Sequence, residues 1–377
     1  MTPRPTLFAA NNPGGLRALL PVIPHFPAHQ LWIPTALQPL VNTEAIVVRP
    51  IDPETSAQSV LEQLHALHPA TLVTGTSVVT AHGGDYENQL RIAARTLGIP
   101  SVAILDHWCN YSARFTTRDG PLRDALPDRI CVMNARARDE MIAEGFPANR
   151  LCITGHPDFD ALVTLSAADR KMRRLAVRQQ LGIPPDTRVI GLLTEPVAGD
   201  YETIRGYDEL EVVTDCLHSC AMLAPPTTIL LKPHPREAHD KYHDRLHSTP
   251  LRIFHAPATL SGHEVVLASD LVVGITTILL LEALLLHCPS LSYQPHIDAT
   301  APWARFIQPV PVITDRDALT ASLREGLNQH GTEQHPLADF YSERNATQNV
   351  IVAVSGVSDN PDGLAGRGAG TAPRTGK

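Results

Sequence analysis

The sequence has 377 residues and an acidic balance, and its length suits two domains. The formal net charge of −8 argues against a general nucleic-acid binder, because binding to the phosphate backbone needs clustered Lys and Arg. Hydrophobic residues make up 43% of the chain, which supports a sizeable core and excludes intrinsic disorder for most of it.

Neither the cysteines nor the apolar segments indicate an exported or membrane-spanning protein. The six cysteines are spread along the chain without a Cys-x-x-Cys pair, so neither a zinc knuckle nor a disulfide framework is expected. The start of the chain lacks the apolar stretch of a secretory signal. The most apolar run, residues 271–286, is short for a membrane span and contains Glu282. We therefore expect a soluble, cytoplasmic protein.

In the first half of the chain, short apolar segments alternate with amphipathic ones. Strands are predicted at residues 6–10, 45–51, 71–79, 101–106, 129–134 and 151–155, and helices at residues 56–67, 86–97 and 135–144. Nearly continuous apolar strands separated by helices are typical of a parallel sheet that is covered on both faces.

The second half repeats this alternation after a long charged helix predicted at residues 158–181. Strands are predicted at residues 188–194, 227–232, 251–255, 271–274, 290–293 and 311–314, and helices at residues 210–223, 276–287 and 317–328. We predict an α/β protein of two doubly wound, Rossmann-like domains that face each other across a cleft. The domains are residues 1–157 and 158–357, followed by a disordered tail at residues 358–377.

In the first domain, polar and aromatic residues follow the predicted strand at residues 101–106. Asp106 and His107 are candidate bases that would deprotonate an acceptor hydroxyl. Trp108 and Tyr111 come next, and aromatic rings suit stacking on a sugar face. For each of these residues a purely structural role is the simpler alternative.

A second polar segment, residues 81–88, joins a strand end to a helix in the same domain. His82 and Glu87 in this segment are rival candidates for the base. Because ligands bind beyond the carboxyl ends of parallel strands, both residues are expected on the acceptor side of the predicted cleft.

In the second domain, a Lys-Pro-His-Pro motif follows the predicted strand at residues 227–232. Lys232 offers a compact positive charge, and His234 can hold a phosphate oxygen or protonate a leaving group. The two prolines restrict the backbone around His234. The alternative is a stiff turn that carries a solvated lysine and histidine.

A glycine turn with two hydroxyl residues follows the strand at residues 271–274. Gly274 precedes Thr276 and Thr277, which would lie at the start of a helix, where free amides and the helix dipole attract phosphate. Glu282 is the one charge in this apolar helix and needs partners, which ribose hydroxyls would supply. The alternative has Thr276 as a helix cap and Glu282 on an exposed stripe.

These two motifs together resemble the C-terminal domain of GT-B-type transferases, namely the CDP-glycerol glycerophosphotransferases and the bacterial sialyltransferases. In those families a His-Pro pair and a later hydroxyl pair hold the phosphate of a cytidine-nucleotide donor. The resemblance implies that Lys232 and His234 contact the donor phosphate, with Thr276 and Thr277 on the same group and Glu282 near the ribose.

The first half resembles the UDP-N-acetylglucosamine 2-epimerases. The similarity lies in the Gly-Ile-Pro at residues 98–100 before a strand and in the hinge-like segment at residues 154–158. The sequence departs from that family at two motifs. Asp106-His107-Trp108 stands in place of Glu-Ala-Gly-x-Arg, and Lys-Pro-His-Pro in place of His-Arg-x-Glu-Asn.

These observations favour a glycosyltransferase, or a glycerophosphotransferase-like enzyme, of surface polysaccharide or glycoconjugate synthesis. It would use a nucleotide-sugar donor and a carbohydrate acceptor, without a cofactor and without a metal, because Lys232, His234 and the helix dipole would carry the phosphate charge. An epimerase that uses Asp106, Glu87 and Glu195 as carboxylates is the first alternative, and a non-catalytic binding subunit is the second. The basic stretch at residues 169–180 is the one segment that could associate with a membrane surface.

Overall fold

The computed structural model describes residues 3–78, 85–117, 120–121, 126–201, 205–224, 227–238, 240–298, 307–329, 341 and 343–358. The chain divides into two compact units, Met1–Asp160 with Glu343–Lys377 and Ala161–Ser342. Each unit has a central parallel sheet with flanking helices, which confirms the predicted α/β class with two Rossmann-like domains.

The first unit contains a parallel sheet of seven strands among its described residues and a small antiparallel ribbon. The chain order is β1 Thr6–Ala9, β2 His29–Pro34, β3 Val48–Ile51, β4 Thr71–Thr74, β5 Ser101–Ile104, the ribbon strands β6 Thr116–Thr117 and β7 Gly120–Pro121, β8 Arg129–Val132 and β9 Leu151–Ile153. The large sheet has the order β3-β2-β1-β4-β5-β8-β9. Strands β1, β4 and β5 are buried at every position, including the threonine or serine residues that they contain.

The second unit contains a parallel sheet of six strands in its described part, with the order β12-β11-β10-β13-β14-β15. These strands are β10 Val189–Leu193, β11 Thr228–Lys232, β12 Arg252–His255, β13 Leu271–Gly274, β14 Ser290–Tyr293 and β15 Val312–Ile313.

The helices through both units are α1 Pro13–Leu19, α2 Ala57–Leu67, α3 Tyr86–Thr96, α4 Tyr111–Arg114, α5 Ala135–Ala143, α6 Phe159–Val163, α7 Ala167–Leu181, α8 Val197–Tyr201, α9 Glu209–Ala221, α10 His243–His247, α11 Gly262–Ala268, α12 Leu279–Leu285, α13 Arg316–Gln329 and α14 Ala346–Ser358.

The long helix predicted at residues 158–181 is wrong, because the chain breaks it into α6 and α7. The Ser166 hydroxyl accepts a hydrogen bond from the Asp169 N–H (3.1 Å) and caps a new helix start. Arg174 and Arg178 of α7 pair with Asp270 at 2.5 and 2.9 Å. Part of the basic stretch at residues 169–180 therefore serves the packing of the second unit.

The final helix, α14, packs in the first unit, although residues 343–357 were predicted in the second domain. Val350, Val354 and Val357 join the hydrophobic core beneath the sheet of the first unit. The Asp160 carboxylate accepts hydrogen bonds from the N–H groups of Ala346 (2.9 Å) and Thr347 (2.8 Å) and caps this helix. The helix includes Ser358, so the predicted disorder is wrong at residue 358, and residues 359–377 of the predicted tail lie outside the described residues.

The turns after β1 and β4 approach so closely that glycine is required. A Cβ atom on Gly75 would lie 3.0 Å from the Gly15 Cα atom and 2.8 Å from an oxygen of Glu87. A backbone atom cannot yield as the end of a flexible side chain can. This contact fixes the spacing between the two turns at the carboxyl end of the sheet.

We expect Gly75→Ala to destabilise the protein by about 1–3 kcal/mol, because the added methyl group overpacks this contact. The matched control is Gly356→Ala in α14, where a Cβ would meet no described atom within 4 Å. That substitution should be neutral or stabilising by up to about 1 kcal/mol, since glycine weakens helices. Thermal unfolding followed by circular dichroism measures both variants, and equal midpoints would contradict the close approach.

Candidate functional site

The polar residues of the second unit gather where its sheet order reverses. From β10 the chain proceeds to β11 and β12 on one side and returns to β13 on the other side. In open α/β sheets, ligands bind beyond the carboxyl ends of the strands at such a switch point. Glu195 follows β10, His234 follows β11, and Thr276 and Thr277 follow β13, so the structure brings them to one edge.

Glu195 fills the turn that the sequence analysis assigned to a donor phosphate. Its carboxylate accepts hydrogen bonds from the N–H groups of Thr276 and Thr277 and from the Thr276 hydroxyl, each at 2.7 Å. Burial raises the pKa of Glu195, and these hydrogen bonds lower it only in part. Helix α12 begins at Leu279, so the two threonines lie in the turn before the helix rather than in its first turn.

Glu237 fixes the Lys-Pro-His-Pro turn from within. It accepts hydrogen bonds from the His234 N–H (2.9 Å), the Tyr242 hydroxyl (2.5 Å), the Lys241 ammonium (3.0 Å) and the Thr194 hydroxyl. Burial acts to raise the pKa of Glu237, but the hydrogen bonds outweigh burial and hold the pKa below its usual value. The turn is therefore anchored by a buried, ionised carboxylate, which the sequence analysis missed.

The ring of His234 is oriented by its own turn. Nδ1 accepts a hydrogen bond from the Arg236 N–H at 3.2 Å, which corresponds to a neutral ring with its proton on Nε2. The side chain is half-buried. The ring can thus present an N–H donor from a backbone that Glu237 holds in place.

Lys232 is engaged inside the second unit. Its ammonium group donates to the carbonyl oxygens of Leu260 (2.6 Å) and Pro257 (3.2 Å), in the loop between β12 and α11. Burial lowers its pKa. In this arrangement Lys232 stabilises the loop beside the site, and its contact with a donor phosphate stays a prediction.

Glu282 is buried in α12 and pairs with a histidine of α11. An oxygen of its carboxylate lies 2.8 Å from Nε2 of His263, and the Glu282 side chain is 2% exposed. The alternative that placed Glu282 on an exposed stripe is therefore wrong. Its partner is an imidazole, while the predicted contact with a ribose stays a prediction.

Gly274 gives the site turn its shape at the end of β13. A Cβ atom there would lie 3.2 Å from the Cγ2 atom of Thr277 and 3.4 Å from Leu280. The missing side chain lets Thr277 fold over the strand end. The role of Gly274 is therefore to leave the volume of a side chain unoccupied, so that Thr277 and Leu280 can pack against the strand end.

The first unit has a similar switch point between β1 and β4, and Glu87 of α3 bridges it. Its carboxylate accepts hydrogen bonds from the N–H groups of Asn11 (3.0 Å) and Ser77 (2.6 Å) and from the Ser77 hydroxyl (2.7 Å). Burial raises the pKa of Glu87, and the charge of Arg91 opposes this change. Glu87 is 1% exposed, so the structure gives it a bridging role and no support as a base for an acceptor.

Asp106 lies beside the glycine turn of the same unit. One oxygen is 2.5 Å from Nη1 of Arg114 and accepts a hydrogen bond from the Thr76 hydroxyl at 3.2 Å. The other oxygen faces Gly14, where a Cβ atom would lie only 2.4 Å away. The arrangement places an ion-paired carboxylate above a bare backbone surface.

The remaining acceptor-side predictions find little support in the first unit. Trp108 is 1% exposed and donates to Asn134 at 2.9 Å, while its ring packs on Phe159. Tyr111 is buried, with its hydroxyl 2.6 Å from Glu140. Both rings are used in packing, which corrects the expectation that they present a face to a sugar.

Two further predicted residues have different outcomes. The ring of His107 is half-buried and lies 3.1 Å from the sulfur of Cys109, a partner that the sequence analysis did not identify. The His-x-Cys spacing directly after β5 is the signal that could have found this pair. His82 lies outside the described residues.

Comparison with solved structures identifies the fold as GT-B. A UDP-GlcNAc 2-epimerase from Neisseria meningitidis, bound to UDP-GlcNAc, matches with a TM-score of 0.66 over 93% of this chain and 99% of that chain, at 14% identity. The wall teichoic acid polymerase TagF matches with 0.60 over 96% and 90%, at 15% identity. HepE of Anabaena, in complex with UDP, matches with 0.56 over 96% and 98%, at 14% identity.

The sequence itself matches no protein-family model and no curated protein significantly. The structural similarity at this level of identity therefore shows the fold. Within the described residues, no helix is both long and apolar enough to cross a bilayer.

We expect Glu237→Gln to destabilise the protein by about 1–3 kcal/mol near neutral pH, because an amide cannot accept all the hydrogen bonds that the carboxylate accepts. The pKa of Glu237 is lowered in the folded state, so its contribution is present above the unfolded pKa and is lost as the pH falls through the folded value. The difference between wild type and variant should therefore shrink in acid.

Urea unfolding at pH 7 and pH 4 measures this difference. Glu325→Gln, at an exposed position of α13, is the control and should have little effect at either pH. A Glu237→Gln effect that grows in acid would contradict the ionised anchor.

Proposed function

We propose that this protein is a GT-B-type glycosyltransferase that transfers a group from a nucleotide-activated donor to a hydroxyl of a carbohydrate acceptor, in surface polysaccharide or glycoconjugate synthesis. The observation that carries the proposal is the fixed Lys-Pro-His-Pro turn at the switch point of the second unit. Two proteins of the same fold hold UDP-GlcNAc and UDP, which supports a nucleotide-sugar donor.

His234 is the proposed contact for the leaving phosphate. Negative charge on this phosphate increases as the bond to the transferred group breaks, and a donor held in advance stabilises that charge without reorganisation. The backbone hydrogen bond to Glu237 and the Nδ1 contact with Arg236 keep Nε2 as the proton-bearing nitrogen. His234 would thus act as a hydrogen-bond donor to the leaving phosphate.

Thr276 and Thr277 are the second proposed phosphate contact, and Glu195 competes for them. A phosphate and a carboxylate need the same N–H and O–H donors, so the donor nucleotide can use them only after Glu195 leaves or takes up a proton. The raised pKa of Glu195 makes proton uptake less costly than for an ordinary glutamate. We infer that Glu195 occupies this turn until the donor displaces it.

Asp106 is the proposed base for the acceptor hydroxyl. Its ion pair with Arg114 keeps the carboxylate fixed, and its second oxygen lies against the backbone of Gly14. His107 is the alternative base in the same loop, although its ring contacts Cys109.

A nucleotide-sugar 2-epimerase is the second candidate function. The similarity to the UDP-GlcNAc 2-epimerase of Neisseria meningitidis favours it, as does the presence of buried carboxylates at both switch points. The two candidates differ in their need for an acceptor. An epimerase converts UDP-GlcNAc alone, whereas a transferase retains the donor until an acceptor is supplied.

A thermal-shift panel of CMP, CDP, UDP, GDP and their sugar conjugates tests the proposal. A nucleotide at about 100 times its Kd should add about 2.7 kcal/mol of stability to wild type. We expect His234→Ala to lose most of this gain, because the phosphate loses its positioned donor. His218→Ala, at an exposed position of α9, is the control and should retain the gain.

The outcomes separate the candidate functions. A shift that is lost in His234→Ala, together with no turnover of the sugar nucleotide in the absence of an acceptor, supports the transferase. Turnover of UDP-GlcNAc alone would overturn it in favour of the epimerase. Flat curves for every ligand would leave a non-catalytic binding subunit.

We expect Glu195→Gln to bind the best nucleotide sugar of this panel about tenfold more tightly at pH 8, because the competing negative charge is removed. Wild-type affinity should fall as the pH rises through the raised pKa of Glu195, and the variant should lack this fall. Calorimetric titration at pH 5.5 and pH 8 measures both, with Glu325→Gln as control. Weaker binding by Glu195→Gln at both pH values would show instead that this carboxylate contacts the ligand directly.

A further inference from the structure

The loop after β5 contains a cysteine and a histidine in contact, which the proposed reaction does not require. The Cys109 sulfur lies 3.1 Å from Nδ1 of His107. Arg114 lies on the other side, where its Nε donates to the Cys109 carbonyl oxygen at 2.8 Å. A nucleophile within hydrogen-bond reach of a base, beside a fixed cation, is the arrangement found around reactive thiols.

We propose that Cys109 is a reactive thiolate and the site at which peroxides and soft electrophiles modify this protein. The residue is 8% exposed, so only small reagents are expected to reach it. The proposal does not rest on the proposed transferase reaction, because its evidence is the contact between Cys109 and His107.

Burial and the neighbouring charges of His107 and Arg114 determine the pKa of the Cys109 thiol. Burial raises the pKa of Cys109, but His107 and Arg114 outweigh burial and leave the pKa below the ordinary value. Burial lowers the pKa of His107, yet the negative sulfur outweighs burial and raises it. Asp106 faces Arg114 and balances part of its charge, and the Tyr111 hydroxyl is bonded to Glu140. Both changes in pKa favour a proton on His107 over a proton on the Cys109 sulfur.

The other five cysteines provide internal controls. Burial raises the pKa of each of them, in the case of Cys220 and Cys288 to about 12. The same direction holds for Cys131, Cys152 and Cys216. Cys152 is the most useful of them, because its side chain is half-buried and so more accessible than Cys109. Exposure and protonation therefore predict opposite orders of reactivity for these two residues.

The reaction with a peroxide is balanced by the groups present. The thiolate sulfur attacks one peroxide oxygen, so a sulfur–oxygen bond forms while the oxygen–oxygen bond breaks. The leaving hydroxide takes the proton from Nδ1 of His107 and becomes water. The sulfur is oxidised to a sulfenic acid and the peroxide is reduced.

Alkylation of the full-length protein with iodoacetamide at pH 6.5, followed by peptide mass spectrometry, tests the proposal. We expect Cys109 to react at least tenfold faster than Cys152 and faster than the other four cysteines. His107→Gln should slow the alkylation of Cys109 about tenfold at pH 6.5 and much less at pH 9, where an ordinary thiol also ionises. His65→Gln, at an exposed position of α2, is the control and should change neither rate.

Two further readouts keep the test decisive if His107→Gln folds poorly. The wild-type alkylation rate of Cys109 should reach its plateau below the pH range of an ordinary thiol. Dilute hydrogen peroxide followed by dimedone should label Cys109 and leave Cys109→Ser unlabelled. Faster labelling of Cys152, or a Cys109 rate that rises with pH like a normal thiol, would overturn the proposal. Neither readout uses transferase activity, so the two proposals fail separately.

Discussion

In each unit a buried glutamate holds together the two turns at which the sheet order reverses. Glu87 joins the turns after β1 and β4, and Glu195 joins the turns after β10 and β13. An ionised carboxylate in the interior costs several kcal/mol unless hydrogen bonds satisfy it, and backbone N–H groups in the interior equally need acceptors. Each of these glutamates accepts hydrogen bonds from backbone N–H groups, so the carboxylate and the N–H groups satisfy each other. The raised pKa values of Glu87 and Glu195 show that burial still exceeds this compensation. The positions of the turns after β1, β4, β10 and β13 depend on these two contacts.

The second unit adds a carboxylate of the opposite kind. Glu237 has a lowered pKa and Glu195 a raised one, although both lie at the same sheet edge. Two titratable groups whose environments move their pKa values apart suit different tasks. Glu237 receives four hydrogen bonds, one of them from a lysine, and is a permanent anchor for the turn of His234. Glu195 receives its hydrogen bonds from groups that also suit a phosphate, so in the proposed function it is the contact that a nucleotide would replace. The site therefore combines a turn around His234 that Glu237 holds permanently with a threonine turn from which Glu195 would be displaced.

The sequence predicts the strands well, because a strand buried on both faces of a parallel sheet must be a short apolar run. The bounds of β13 and β14 agree with prediction. Strand β2, at His29–Pro34, was missed because polar and proline residues surround its buried centre.

The motif around His234 was found because its residues are adjacent in sequence. The contact between Glu195 and Thr276 joins residues 81 positions apart, and no local pattern specifies such a pair. Helix α14 escaped prediction for the same reason, since its place depends on a carboxylate 186 positions earlier.

Arg114 connects the chemistry of the first unit to its packing. The guanidinium binds Asp106 and donates to the carbonyl oxygens of Thr76 (2.7 Å) and Cys109 (2.8 Å). It therefore fixes the ends of β4 and β5 together with the candidate base. The charge of the same cation acts to lower the pKa of Cys109. One positive charge therefore serves two groups of the loop after β5, the carboxylate of Asp106 and the thiol of Cys109. Arg114 thus links the proposed base and the proposed reactive thiol through a single buried side chain.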